Sequence, residues 1–362
     1  MLPPLEYLAW AIENYGQVDV DLASSGLPTL AATELGAPAS YLAEVADVRA
    51  PRRWIESIAR RFDVDAACVT PVAGTTHGSW ATYAALLSPG DDVVVESPVY
   101  EPLVRQAQGV GARIVPFARE VASGALVDPD VIGRALTAQT KLVVVSNLHN
   151  PTGARVDDAV LAEVAKLAAR RGAYLLADEV YRDLVDFDPD RGQTAFRVGP
   201  NVIATASLTK VYGLGFLRAG WVLAPRELTP LVMGATLHSI GGLSLLLAAM
   251  SARAIAELPR LYALSAAARA DDEALATMVE AFVRARPHLS WIRHRGSIFG
   301  FVTDSRGGDL RATIERGVRE EGVIVAPGVF FGAPSGFRLR YGAMPRAVLA
   351  DGLARLGRVL DR

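Results

Sequence analysis

Cysteine is nearly absent from this chain of 362 residues, and Cys68 alone cannot form an internal disulfide. Long apolar runs are missing too. The longest, such as residues 243–250, are far shorter than the roughly 20 residues that a membrane-spanning helix needs. The first residues lack a basic stretch followed by an apolar run, so no signal peptide is predicted. Together these absences predict a soluble, cytoplasmic protein.

An excess of charge of one sign is also missing. The formal net charge is −2, from 37 Lys and Arg against 39 Asp and Glu. Surfaces that bind nucleic acid or anionic membranes usually carry an excess of cations, so neither partner is expected. Hydrophobic residues make up 51% of the chain, which excludes a disordered protein. At roughly 100–200 residues per domain, the length predicts two domains.

Lysine is scarce, because only Lys141, Lys166 and Lys210 stand among the 37 basic residues. Codon bias explains the scarcity itself. Arginine can replace lysine in most charge-bearing roles, but it cannot act as an amine nucleophile. Each remaining lysine is therefore a candidate for chemistry that arginine cannot do.

Short apolar runs alternate with helical patterns from about residue 70 to residue 225. This alternation predicts βαβ units, a mostly parallel central sheet flanked by helices, and a ligand site beyond the carboxyl ends of the strands. The predicted strands are residues 92–96, 141–145, 174–177 and 201–205. The predicted helices are residues 76–87 and 158–171.

The last third of the chain has a different pattern. A long helical region is predicted from about residue 258 to residue 286, and three short strands follow at residues 300–302, 323–325 and 337–341. Further helices are predicted near residues 308–322 and 345–362. These elements predict a smaller α+β domain, made of residues 1–44 and 256–362, beside a large α/β domain of residues 45–255.

Three polar sequences follow three of the predicted strands. They are Ser-Asn-Leu-His-Asn-Pro-Thr-Gly at 146–153, Ala-Asp-Glu-Val-Tyr at 177–181 and Ala-Ser-Leu-Thr-Lys at 206–210, continued by 211–221. Each alone is weak evidence, since the first is a good turn and Ser-x-x-Lys also occurs in penicillin-binding enzymes. In this order, with 28 residues from Asn150 to Asp178 and 8 from Lys210 to Arg218, they resemble the class I/II aminotransferases. The resemblance runs from about Gly74 to Tyr341.

The resemblance implies the fold of the fold type I enzymes and the cofactor pyridoxal 5′-phosphate. Lys210 matches the lysine that holds the cofactor as a Schiff base and moves a proton between Cα and C4′. Asp178 matches the carboxylate opposite the ring nitrogen, and Asn150 and Tyr181 match the donors to the phenolic oxygen. Tyr100 fits the aromatic residue that covers the ring. Lys210, Asp178 and Tyr181 are the predicted catalytic residues, whereas Lys141 and Lys166 look like surface lysines.

For the phosphate, the resemblance implies Thr75 and Thr76 at a helix N-terminus, completed by Ser207 and Arg218. For the substrate, it implies Arg338 as the bidentate partner of the α-carboxylate, with Asn150 beside it. Arg340 takes that role if the register is misread by two residues. Gly26 resembles the N-terminal loop that closes over the substrate. No metal ligand is expected.

Three positions depart from the family pattern. Tyr41 is the nearest candidate for a tyrosine that reaches the phosphate of the neighbouring subunit. His77 stands where a glutamate is frequent, as a residue of the helix's first turn or as a substrate contact. His238 lies where the family carries side-chain specificity, with a plain interface helix as the alternative.

The resemblance predicts an aminotransferase that moves an amino group between an α-amino acid and a 2-oxo acid, and a homodimer with the site at its interface. Another fold type I enzyme (a cyclase, an eliminase or replacement enzyme, a racemase or a decarboxylase) is the alternative, because all these reactions share Lys210, Asp178 and Arg338. A non-catalytic protein that binds pyridoxal phosphate is a remote alternative. A nicotinamide-dependent dehydrogenase is a poor alternative, since no G-x-G-x-x-G follows the first strand.

Overall fold

The computed structural model describes residues 2–36 and 47–362, which form helices and strands in alternation. The helices are α1 Glu6–Asn14, α2 Ala50–Phe62, α3 Thr75–Leu86, α4 Glu101–Gly109, α5 Pro129–Ala135, α6 Asp158–Ala169, α7 Thr229–Ile240, α8 Leu245–Ala256, α9 Leu258–Ala267, α10 Asp272–Arg284, α11 Arg311–Glu321 and α12 Arg346–Leu360. The strands are β1 Val20–Asp21, β2 Val69–Val72, β3 Asp92–Ser97, β4 Arg113–Ala118, β5 Thr140–Ser146, β6 Tyr174–Asp178, β7 Val202–Ser207, β8 Gly220–Leu223, β9 Leu289–Ser290, β10 Phe299–Asp304, β11 Val323–Ile324, β12 Ala326–Pro327 and β13 Gly336–Arg340.

The large sheet has seven strands in the order β2-β8-β7-β6-β5-β3-β4. Strand β8 is antiparallel to both its neighbours, and the other pairs are parallel, which confirms the predicted mostly parallel sheet. The central strands are rich in Val, Leu and Ile because helices cover both faces. Ser146, Asp178 and Thr205 pair across β5, β6 and β7. Their register places three predicted site segments side by side at one edge.

The smaller part joins the two ends of the chain. Strands β12, β13, β10 and β9 form an antiparallel sheet in that order, and β1 pairs in parallel with β11. The N-terminal segment therefore belongs, by pairing, with the last third of the chain. This pairing supports the division into residues 45–255 and residues 1–44 plus 256–362, which stays a prediction.

Helix α1 faces the carboxyl ends of the strands of the large sheet and is held there by apolar packing and by hydrogen bonds at its N-terminus. Its residues Tyr7, Trp10 and Ala11 are buried in an apolar cluster with Phe330 and Phe331. The carboxylate of Glu101 accepts hydrogen bonds from the amides of Glu6 (3.2 Å) and Tyr7 (2.7 Å). An anion at a helix N-terminus accepts hydrogen bonds from the free amides there and interacts favourably with the positive end of the helix dipole. The first turn of α1 is thus tied to the first residue of α4.

The helical region predicted from about residue 258 to residue 286 consists of two helices separated by a short break. Helix α9 ends at Ala267 and α10 begins at Asp272. In the break, Arg269 donates to the carbonyls of Leu184 (2.9 Å) and Gly296 (2.7 Å). Asp272 accepts from the amide of Ala343 at 2.7 Å. These hydrogen bonds to distant segments stabilise the break between the two helices. The apolar periodicity of the sequence gives no information about such contacts.

Within residues 2–36 and 47–362, no helix is both long and apolar enough to cross a membrane.

Candidate active site

A cavity of about 230 Å³ lies between α1 and the carboxyl edge of the large sheet. Most of the side chains predicted from the sequence line it. They are Thr75, Thr76, Tyr100, Asn150, Asp178, Tyr181, Lys210 and Arg218. Five segments that are far apart in sequence thus meet at one site. Cavities of this kind, apolar with a few convergent polar groups, are the usual location of small-molecule sites.

Lys210 enters the cavity three residues after β7. Burial lowers the pKa of its amine to about 8, and the nearby guanidinium groups of Arg338 and Arg218 add to the effect. At pH 8 about half of the amine is then neutral, against about one part in 300 for an ordinary lysine. Lys141 and Lys166 are exposed, as the sequence predicted. The structure therefore provides one lysine with the properties of a nucleophile.

Asp178 ends β6 inside the cavity, and its side chain is buried. Burial raises the pKa of its carboxyl group to about 7, the amide of Val180 opposes this, and Glu96 and Glu179 raise it further. A buried carboxylate of this kind is stabilised by a cation placed beside it. A protonated pyridine nitrogen would meet that need.

The N-terminus of α3 forms the end of the cavity that fits a phosphate. The backbone of Gly74 has a φ of +89°, and a Cβ there would lie 2.9 Å from Nη2 of Arg218. Helix amides, a guanidinium group and two threonine hydroxyls thus converge, a donor set that suits a phosphate dianion. The positive φ is the feature that favours glycine at 74.

Thr209 also belongs to this end, although the sequence analysis did not single it out. Its hydroxyl is buried and has no hydrogen-bond partner in the part of the chain that the structure describes, and the residue lines the cavity. Ser207 is buried and is not among the lining residues, and its hydroxyl accepts from the amide of Thr209 at 3.3 Å. An unpaired buried hydroxyl fits a phosphate oxygen as its missing partner.

Arg338 lies just behind the cavity wall and is fully buried. Its Nη1 donates to Oδ1 of Asn150 at 2.8 Å, and Nη2 donates to the hydroxyl of Tyr7 (2.8 Å) and the carbonyl of Ala23 (2.7 Å). Its Nε has no partner among residues 2–36 and 47–362. Arg340 instead faces the carbonyls of Gly342 and Ala343, so the geometry favours Arg338 as the carboxylate partner.

A buried polar network supports Asn150 from below. Glu96 and Arg119 form an ion pair at 2.7 Å, and both side chains are fully buried. Glu96 also accepts from the amide and hydroxyl of Ser146, and the hydroxyl of Ser146 accepts from the amide of Asn150 at 3.2 Å. Buried hydrogen-bond networks of this kind restrict the motion of their members. They fix the turn that holds Asn150 against Arg338.

Tyr7, Tyr15 and Ser25 line the cavity and were missed by the sequence analysis. The Tyr7 hydroxyl lies 2.9 Å from that of Tyr15, and the Tyr181 hydroxyl donates to Oγ of Ser25 at 2.6 Å. No local pattern places these residues at the site, since α1 reaches it through tertiary packing. For Ser25, its position next to Gly26 was the one available signal.

The two candidate histidines do not line the cavity. His77 accepts from the amide of Ala73 (3.0 Å) through Nδ1, and its Nε2 lies 2.8 Å from the hydroxyl of Ser239. Burial lowers its pKa, which suits a neutral ring in the first turn of α3. His238 is exposed on α7, and neither histidine is among the lining residues.

Gly26 packs on the stem of Lys210, where a Cβ would lie 3.6 Å from Cδ. This contact puts the loop behind the lysine, and a substrate contact by Gly26 stays a prediction. Tyr41 lies outside the described residues.

Replacing Arg338 by lysine is expected to lower kcat/KM roughly 100-fold, because a lysine cannot form the bidentate pair with an α-carboxylate. The matched control is Arg340→Lys on the same strand, expected to stay within about threefold of the parent. Steady-state kinetics with thermal unfolding of both variants checks this. An equal loss in both variants, or a loss in Arg340→Lys alone, would contradict the assignment.

Comparison with known proteins agrees with this geometry. The family described as aminotransferase class I and II matches residues 44–356. The capreomycidine synthase of Streptomyces vinaceus is 31% identical, over 99% of this chain and 94% of that protein. The arginine–pyruvate transaminase of Pseudomonas aeruginosa is 29% identical, over 82% of this chain and 77% of that protein. The crystal structure of the pyridoxal-phosphate-dependent cyclase OrfR superposes with a TM-score of 0.86 at 25% identity, over 99% and 97% of the two chains.

Proposed function

Since the chain belongs to the class I and II aminotransferases, which depend on pyridoxal phosphate, we propose that it transfers the amino group of an α-amino acid to a 2-oxo acid through Lys210. The observation that carries the proposal is the position of Lys210. Its amine, with a pKa of about 8, lies in a cavity that also presents the carboxylate of Asp178. Arg338 lies behind Asn150, one hydrogen bond from that cavity.

The residues present fit the cofactor at each of its polar groups. Thr75, Thr76, Thr209 and Arg218 would hold its phosphate, and Asp178 would face its ring nitrogen. The unpaired hydroxyl of Thr209 is a donor without an acceptor until a ligand is present. Bound pyridoxal phosphate supplies an aldehyde that captures amines and an electron-withdrawing ring that stabilises negative charge at the substrate's Cα.

Residues of this chain would bind the substrate, remove its Cα proton and exclude water from the cavity. Arg338 and Asn150 bind the α-carboxylate and thereby fix which bond at Cα faces Lys210. Neutral Lys210 removes the Cα proton as a general base, and a pKa near the working pH is best for that role. Tyr7, Leu8, Ala11 and Tyr15 cover the cavity and exclude water. Apolar surface and hydroxyl groups on this wall favour a substrate with an uncharged side chain.

A cyclisation of the substrate is the second candidate, and the similarity to capreomycidine synthase and to a cyclase structure favours it. The family match begins at residue 44, beyond the segment that supplies Tyr7, Tyr15 and Ser25 to the cavity. The capreomycidine synthase aligns with 99% of the chain and so includes this segment, and the similar fold of OrfR belongs to a cyclase. Both reactions need the same proton removal by Lys210.

Single-turnover experiments separate the two reactions. The loaded protein is mixed with one amino acid at a time, including arginine, leucine and aspartate, without a 2-oxo acid. Transamination predicts one 2-oxo acid formed per site, loss of the visible absorbance of the cofactor, and recovery when a 2-oxo acid is added. Leucine is expected to react faster than aspartate.

The alternatives give different results in the same experiment. Many turnovers without any 2-oxo acid, with the absorbance retained, would replace transamination by cyclisation or another reaction. No product from any amino acid would support a non-catalytic protein. The control is the matched amine without an α-carboxylate, which should react far more slowly because it leaves Arg338 unpaired.

We also propose a cytoplasmic homodimer. Helix α7 exposes the apolar side chains of Leu231, Leu237 and Ile240, which contact with a second copy would bury. Light scattering should give the mass of two chains, and a monomer would contradict the proposal.

A further inference from the structure

Ser25 lies between the side chains of Tyr181 and Lys210, two residues that line the cavity. Its Oγ lies 2.6 Å from the hydroxyl of Tyr181, which follows β6, and 3.4 Å from Nζ of Lys210, which follows β7. The residue is 3% exposed and lines the cavity. The Tyr181 hydroxyl and the Lys210 amine both donate to this oxygen. Among the described residues, Ser25 is the one side chain that bridges them by hydrogen bonds.

The loop that carries Ser25 is held independently of this contact. Asp21 accepts hydrogen bonds from the amides of Ala23 (2.7 Å) and Ser24 (2.9 Å), and also from the Ser24 hydroxyl. The amide of Leu27 donates to the carbonyl of Lys210 at 2.8 Å. The backbone on both sides of Ser25 is therefore anchored. Its hydroxyl is left free to act on its two neighbours.

We propose that Ser25 is a positioning residue for proton transfer, whose hydroxyl holds the free amine of Lys210 toward the substrate's Cα and fixes the Tyr181 hydroxyl beside it. The inference rests on the proposed function, because it concerns the lysine that performs the transfer. A flexible lysine side chain has several rotatable bonds, and one hydrogen bond to a buried, anchored oxygen reduces the rotamers it populates. No covalent change occurs at Ser25, and the proton moves only between carbon and Nζ.

The groups around Nζ give Ser25 a distinct electrostatic role. Arg338, Arg218 and Arg340 disfavour the charged amine, Asp178 favours it, and burial opposes it most strongly. The Ser25 oxygen is an acceptor for the ammonium form and so partly offsets these effects. Removing the hydroxyl leaves the charged amine with one acceptor fewer. The pKa of Lys210 is therefore expected to fall when Ser25 becomes alanine.

The test compares Ser25→Ala with Ser25→Thr and with Ser24→Ala, the neighbouring serine whose hydroxyl bonds to Asp21 instead. We expect Ser25→Ala to lower kcat about tenfold with KM within about twofold, since one hydrogen bond to a charged group corresponds to roughly this factor. The kinetic isotope effect with Cα-deuterated substrate should rise, because proton transfer becomes slower. Ser25→Thr, which keeps the hydroxyl, should restore kcat to within about threefold.

A second readout does not depend on activity. Cofactor capture by the cofactor-free protein follows the neutral fraction of Lys210, so its pH profile reports that amine. The midpoint should fall by roughly half a unit to one unit in Ser25→Ala and stay unchanged in Ser24→Ala. A purely structural role would raise KM in both serine variants and leave the midpoint in place.

The outcomes separate this inference from the proposed function. If the parent protein captures the cofactor and turns over, but Ser25→Ala matches it in kcat, isotope effect and capture midpoint, the role of Ser25 is refuted alone. If the parent captures no cofactor through Lys210, the proposed function fails, and the inference fails with it.

Discussion

Replacement of Lys210 by arginine is expected to lower turnover by more than about 10⁴-fold, the largest effect at this site. Arginine keeps the positive charge and a similar length, but its guanidinium group stays protonated and cannot attack an aldehyde or take up a proton. The loss would therefore be one of chemistry and not of charge. Thermal unfolding of the variant should stay close to that of the parent protein.

The chain offers matched controls in its two other lysines. Lys141→Arg and Lys166→Arg change exposed side chains and should leave turnover within about twofold of the parent. The measurement is steady-state turnover, together with the visible absorbance of the cofactor bound through residue 210. Residual turnover of Lys210→Arg near that of the two controls would overturn the assignment.

The lowered pKa of Lys210 predicts a pH dependence with a definite sign. Only the neutral amine attacks an aldehyde, so capture of the cofactor by the cofactor-free protein should accelerate with rising pH and level off above about pH 8. An ordinary lysine would place the midpoint more than two units higher. A midpoint near 10.5 would show that burial and the arginine charges do not act on this amine.

The sequence predicted the site best where residues directly follow strands. Asn150, Asp178 and Lys210 each come after an apolar run, and the sheet brings the ends of parallel strands to one edge whatever lies between them. Alternation along a strand also separates neighbours: Asp178 faces the cavity, whereas Glu179 bonds to Arg182 and Thr194 on the other side. Sheet geometry therefore explains why these segments meet, whereas the role of each residue came from the family resemblance.

The other half depends on contacts that no local pattern encodes. Tyr7 and Ser25 reach the cavity because β1 pairs with β11, about 300 residues further along the chain, and because Glu101 caps α1. The break between α9 and α10 likewise depends on carbonyls of Leu184 and Gly296. Periodicity reports which face of an element is apolar, but it does not report which distant segment will cover that face.

Asp178→Asn is expected to lower kcat roughly 10²- to 10³-fold with a smaller change in KM. The carboxamide has nearly the same shape but cannot carry charge, so it cannot keep a pyridine nitrogen protonated. In the parent protein, burial raises the pKa of Asp178 to about 7, and a cationic ring beside it favours the carboxylate. The variant loses this mutual stabilisation, and with it the withdrawal of electrons from Cα.

A cofactor analogue methylated at the ring nitrogen tests that reason directly, because its ring is cationic without any help from the protein. It should restore a large part of the activity of Asp178→Asn while leaving the parent protein no faster.

Glu179→Gln is the matched control, since this neighbouring buried carboxylate pairs with Arg182 away from the cavity at 2.6 Å. Removing the charge of Glu179 should lower thermal stability, because Arg182 would lose a charged partner. The kcat per site that contains cofactor should stay unchanged. Equal kcat losses in the two variants, or no rescue by the analogue, would mean that Asp178 acts through the fold and not through the ring nitrogen.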